Sequence, residues 1–166
     1  RRMMVEYFAH PNGANTRLYY EQALGIRRVS MRNEASTRSV MMVRDHIVIT
    51  DEKESDTGPT PLEMTLSSLC GCEGVIINRC AEAMKLDYSA VDIEADGEVD
   101  QRGSRGVQGV RPYFNWVKMR IRIHTEESDE RLARLRRNVE YRCPVMNLFS
   151  SADVTLDVTW EKVAPA

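Results

Sequence analysis

Thr60-Pro61-Leu62-Glu63-Met64-Thr65-Leu66-Ser67-Ser68-Leu69-Cys70-Gly71-Cys72-Glu73-Gly74 reads as the opening of a long, central helix. Thr60 suits the N-cap and Pro61 the first helical position. The apolar set Leu62, Leu66, Leu69, Val75, Ile76, Ile77 and Met84 carries the helix to about Lys85 and lies on more than one side, as in a helix packed from several directions. Gly71 and Gly74 each cost roughly 1 kcal/mol relative to Ala in a helix interior. Close packing against a neighbour would offset that cost, as would access of a small substrate to the Cys72 sulfur.

The rest of the chain works outward from this helix. Short β-like runs precede it at Ile26 to Arg32, Thr37 to Arg44 and His46 to Thr50. Beyond it, Val91 to Val99 alternates apolar and acidic residues. Asn115 to His124 alternates Val117, Met119, Ile121 and Ile123 with Lys118, Arg120, Arg122 and His124. Strict alternation of this kind marks half-buried strands. The glycine-rich stretch from Gln101 to Val110 between them reads as a loop. Ser128 caps a helix bearing Leu132, Leu135 and Val139, Pro144 restarts a helical segment to about Ser150, and Val154 to Val163 is a closing strand. Strands grouped in antiparallel runs rather than alternating with helices define an α+β class. Residues 1–25 form an N-terminal extension, in which 15–24 suit a short helix or a strand, and residues 26–166 form the single domain.

The 166 residues can bury a real core, with 42% hydrophobic and 29% charged side chains. A formal charge of -2 argues against a general nucleic-acid binder, which needs a basic face. No run reaches the roughly 18 apolar residues of a membrane span, and the first residues lack a signal-peptide core. The expected location is the cytoplasm, where thiols stay reduced unless they have redox work.

Four cysteines therefore read as free, catalytic or metal-binding rather than as staples. On a helix the side chains of Cys70 and Cys72 diverge by about 200°, so they neither pair with each other nor share a metal, and no metal site or cofactor is expected. Cys143, in Arg142-Cys143-Pro144-Val145, falls at a helix N-cap, a position that favours a thiolate. Local physics thus nominates Cys143 as the more acidic thiol. Cys80 reads as a small core filler, and inert packing is the commoner role of any single buried cysteine. His10, His46 and His124 show no ligand spacing. Met41, Met42, Phe114 and Trp116 suit an apolar pocket or plain core.

Thr57-Gly58-Pro59-Thr60-Pro61-Leu62-Glu63-Met64 with Leu66-Ser67-Ser68-Leu69-Cys70-Gly71-Cys72 resembles the first-cysteine helix of the OsmC/Ohr superfamily, and Arg142-Cys143-Pro144-Val145 resembles its second-cysteine motif. The resemblance spans about Ile26 to Val163. It implies an intertwined homodimer, with antiparallel sheets wrapped around central helices and active sites at the interface. It also implies thiol-dependent reduction of organic hydroperoxides. Aligned on the proline, Cys72 takes the peroxidatic position and Cys143 the resolving one, with an external thiol or a lipoylated protein as reductant. The family's activating acid directly follows the proline, where this chain has Leu62. Glu63 comes one residue later, turned by about 100°, and is either the displaced catalytic acid or a first-turn acid favoured by the helix dipole. The family's arginine corresponds to Arg38 or Arg32. Leu62 and the lack of an arginine motif leave a second expectation open: a non-peroxidatic relative that senses redox state or binds a small ligand.

Overall fold

The structure, a computed structural model, describes residues 25–165; the expected element at 15–24 lies outside them. The chain divides into two compact units, one ending at Thr50 and the other running from Asp51.

The first unit contains strands β1 (Ser30–Asn33), β2 (Ser39–Val43) and β3 (His46–Thr50), paired antiparallel in that order. β1 is shorter than the apolar pattern predicts, beginning at Ser30 rather than Ile26. The Asn33 side chain holds the first turn: its Nδ2 donates to the Ser36 and Arg38 carbonyls at 2.6 and 3.0 Å, and its Oδ1 accepts the Ser36 N–H. A short polar side chain bonding nearby backbone is the mechanism by which Asn fixes turns.

The second unit holds helix α1 (Pro61–Met84), strand β4 (Ala90–Val99), a one-turn helix α2 (Gln101–Ser104), strand β5 (Phe114–His124), helices α3 (Asp129–Arg142) and α4 (Pro144–Ser151), and strand β6 (Thr155–Val163). Its sheet order is β4-β5-β6. β4 and β5 are antiparallel, as expected, whereas β6 runs parallel to β5. The strand pattern alone does not anticipate this. Two helices lie between β5 and β6 and return the chain to the end where β5 began, so β6 runs the same way, as in any crossover connection. The predicted loop after β4 contains α2, which Asp100 opens by accepting the Arg102 N–H at 3.0 Å.

The alternation in β5 decides both faces of the sheet. Val117, Met119, Ile121 and Ile123 are buried in one core with Leu69, Ile77 and Cys80 of α1 and Leu135 and Val139 of α3. On the other face Lys118, Arg120 and Arg122 stand opposite Asp96, Glu94 and Asp92 of β4, and opposite Asp157, Thr159 and Glu161 of β6. An Arg122–Glu94 pair at 2.8 Å and an Arg120–Glu161 pair at 3.6 Å bridge the strands. Each exposed pair is worth little, but a basic central strand between two acid-bearing neighbours disfavours a one-residue slip, which would also expose the apolar face. Phe114 packs on Phe149 of α4 with ring centroids 5.5 Å apart.

α1 begins as the sequence predicts. The Thr60 hydroxyl accepts the Glu63 N–H at 3.3 Å, and Glu63 Oε2 accepts the Thr60 N–H at 2.7 Å, a reciprocal capping box. Lys85 ends the helix in the left-handed region (φ 49°). Arg131 of α3 then donates to the Met84 and Lys85 carbonyls at 3.2 and 2.6 Å, tying α3 to the end of α1. Thr60→Ala removes the cap and is expected to cost about 0.5–2 kcal/mol, read as a lower urea midpoint with an unchanged slope.

Candidate functional site

The second unit brings Cys72 and Cys143 together. α4 and α3 both pack on α1, and Cys143 sits at the junction of α3 and α4 as C-cap of one and N-cap of the other. Its extended backbone follows from Pro144, which excludes helical geometry in the preceding residue. The Asn147 side chain donates to the Cys143 carbonyl at 2.8 Å and fixes the corner. The Cys143 side chain is thereby fully buried, and the Cys72 thiol is near enough to add to the rise of its pKa. Cys72 is partly exposed, so a small molecule can reach it from solvent.

Near Cys143 lies an acid from the buried face of α1. Glu73 is completely buried (0% exposed). Neither of its carboxylate oxygens has a hydrogen-bond partner, although the carboxyl and the Cys143 thiol are near enough to shift one another's ionisation. Burial pushes the Glu73 carboxyl up from the ordinary carboxylate range; its contact with Cys143 opposes the shift, and the charge of Glu140 adds to it. On a helix Glu73 faces about 100° away from Cys72, toward the side that α1 buries. Leu66, Leu69, Glu73, Ile76 and Cys80 follow one another at helical spacing along the face that α1 buries. An acid inside such an apolar stripe is the signal that marks it.

Cys143 is not the acidic thiol that its N-cap position suggests. Its sulfur does accept the Met146 N–H at 3.4 Å, which lowers the pKa. Burial raises it first, the Glu73 carboxyl second, and together they outweigh the helix end and push the thiol far up. Desolvation and an adjacent carboxylate both disfavour a thiolate. Cys70 is also pushed up, by burial foremost and by Glu73, with its own backbone opposing. It lies on the opposite flank of α1 from Cys72, so the two thiols diverge as expected. Cys80 is buried in the core, with Arg142 Nη1 at 3.5 Å from its sulfur.

Of the remaining candidates, Glu63 is engaged with Thr60, whose backbone N–H foremost holds its carboxyl below the usual range. Arg32 and Arg38 belong to the first unit, where both line a concavity of about 650 Å³ with Ser30, Glu34, Val40 and Met42. Arg32 is paired there with Glu34 at 3.0 Å. Among the described residues no group of three or more His, Cys, Asp or Glu side chains is arranged to hold a metal. His46 is exposed on β3, and His124 bonds Asp92 across the sheet at 2.9 Å. No described helix is long and apolar enough to cross a membrane.

The buried carboxyl predicts a pH signature. An unfolded Glu titrates near pH 4.3, and the folded value is higher. The folded state therefore holds the proton more tightly, and stability is lost as pH rises from about 4.3 through the folded pKa. Glu73→Gln has no such loss. Its denaturation midpoint is expected to gain steadily on the wild type as pH is raised from 4; parallel profiles would assign the pH dependence elsewhere.

The second unit is thus an α+β domain whose long helix carries Cys72 close to the far-separated Cys143. The OsmC-like protein family model matches residues 53–159, and the chain belongs to that family. Among solved structures, an OsmC-like protein from Mycoplasma pneumoniae is similar over 84% of this chain and 98% of its own, at 18% identity and a TM-score of 0.75. The organic hydroperoxide resistance protein OhrB of Bacillus subtilis is similar over 85% and 100%, at 15% identity and a TM-score of 0.58. An organic hydroperoxide resistance protein from Elizabethkingia anophelis covers 86% and 99%, at 11% identity and a TM-score of 0.64. These likenesses establish the fold. No curated protein matches the sequence significantly.

Proposed function

We propose that this protein reduces organic hydroperoxides with two cysteines, Cys72 as the peroxidatic residue and Cys143 as the resolving one, in a reducing compartment such as the cytoplasm. The observation that carries the reading is the approach of the two thiols across the α1–α4 contact, one partly exposed and one fully buried. The Cys72 thiolate attacks the terminal peroxide oxygen, the O–O bond breaks, and the departing alkoxide takes a proton to leave as the alcohol. Cys72 is left as a sulfenic acid. Cys143 then attacks that sulfur, forming the disulfide and releasing water. A dithiol such as dihydrolipoamide, free or carried on a lipoylated protein, returns both cysteines to thiols.

The working form in this reading is a homodimer with its sites at the subunit interface. Two features of α1 support it. A side-chain carbon added at Gly71 or Gly74 would meet nothing within 4 Å, and Val75 beside them is half exposed. A helix face that carries two costly glycines, with space beside them among the described residues, suits close approach by a second copy.

The test is consumption of cumene hydroperoxide with dihydrolipoamide, accompanied by mass spectrometry for a Cys72–Cys143 bond. One observation favours the alternative of a redox sensor or small-ligand binder without turnover. Glu63, the nearest counterpart of the family's activating acid, is engaged in the helix cap. A disulfide that forms with peroxide without catalytic turnover supports that alternative, and absence of the disulfide leaves a binding role.

A further inference from the structure

We propose that Glu73 is the general base for the second thiol, taking the proton of Cys143 as its sulfur attacks Cys72 and delivering it to the departing group. The inference rests on the two-cysteine reading but concerns a separate step.

A resolving thiol must lose its proton to become a nucleophile. Cys143 is fully buried, so bulk water is a poor acceptor, and its ionisation is disfavoured on every side except the Met146 N–H. A protein that left Cys143 in this state with no base would have a resolving thiol that seldom resolves. The Glu73 carboxyl acts on that thiol; it is likewise fully buried, and neither of its oxygens has a hydrogen-bond partner. An unpartnered buried carboxyl is costly, and the burial that raises its basicity suits it to accept a proton from a thiol. The other titratable groups bearing on it are Cys70 on its own helix and Glu140 of α3. Glu140 is engaged by Arg136 at 2.7 Å, and Cys70 lies on the other flank from Cys72.

The step balances without an outside base. The Cys143 S–H breaks, its proton passes to Glu73, and the sulfur electron pair forms the bond to Cys72 sulfur. The Cys72 S–O bond breaks, and the hydroxide that leaves takes the proton from Glu73 as water. In this proposal the same carboxyl, on the residue next to Cys72, accepts the proton from the attacking thiol and returns it to the leaving oxygen.

The step can be isolated from peroxide chemistry with 5,5′-dithiobis(2-nitrobenzoate) on the Cys70→Ser protein. Cys72 releases one equivalent of thionitrobenzoate and becomes a mixed disulfide. Cys143 then attacks the Cys72 sulfur, and the aryl thiolate leaves with its electron pair as a second equivalent, needing no protonation. Glu73→Gln is expected to slow the second release about 100-fold and to make it rise roughly tenfold per pH unit, because hydroxide must then remove the proton. Glu73→Asp restores part of the rate. A Gln variant that releases the second equivalent at the wild-type rate overturns the proposal, as does equal slowing by Gln and Asp. Should the Gln variant not fold, the wild type decides alone: a second phase that rises tenfold per pH unit without levelling anywhere between pH 5 and 10, or that never appears, also overturns it. Failure of hydroperoxide turnover with a normal second phase would instead count against the peroxidase reading and leave the role of Glu73 standing.

Discussion

Cys72→Ser is expected to abolish hydroperoxide reduction, bringing the rate down to that of dihydrolipoamide alone. Serine fills the same space on α1, so the fold is expected to persist. A hydroxyl, however, neither ionises near neutral pH nor forms a sulfenic acid, so both the attack on the peroxide and the later disulfide are lost. Two companion variants give the result its meaning. Cys70→Ser is expected to keep most of the activity, because helix geometry turns that thiol to the other flank of α1 and away from Cys72. Cys143→Ser is expected to permit one oxidation and then stall, with a Cys72 sulfenic acid that dimedone traps and mass spectrometry detects. Equal turnover by the Cys72→Ser protein would sink the proposed chemistry.

The largest effect on stability is expected from Leu69→Ala. Leu69 has no exposed surface and lies on the buried face of α1, one turn before Glu73, in the core shared with β5 and α3. Truncation removes apolar burial and leaves a cavity that a close-packed neighbourhood fills only in part, at a cost of about 2–5 kcal/mol. For a chain of this size each kcal/mol lowers the melting temperature by roughly 2–4 °C. The urea midpoint is expected to fall with an unchanged slope, since the folded state loses packing rather than a whole element. Leu62→Ala is the control. Leu62 shares the periodicity that predicts α1 but is 44% exposed, so a much smaller change is expected.

Most elements were legible because their signals are local. Thr60 and Pro61 open α1, Ser128 opens α3, and Pro144 separates α4 from α3 through short-range sterics and capping. The alternation in β5 needs only the two-residue period of a strand to assign both faces. What local signals miss is contact between distant segments. The parallel pairing of β6 with β5 depends on how two intervening helices carry the chain back. The ionisation of Cys143 depends on what surrounds its sulfur: from its neighbours in sequence it is a thiol at a helix N-terminus, and only packing against α1 reveals the desolvation and the carboxyl that outweigh that end. Glu73 was visible as an acid in an apolar stripe, but nothing in the sequence states what that stripe packs against.

Local signals thus place Cys70 and Cys72 on opposite flanks of one helix, set Cys143 before a proline at a helix start, and carry the two motifs of the family. Periodicity, capping and proline sterics act over a few residues and suffice for all three. That Cys143 lies buried near Cys72 with the Glu73 carboxyl acting on it comes from packing alone, because burial and charge are properties of whatever the folded chain brings within a few ångströms.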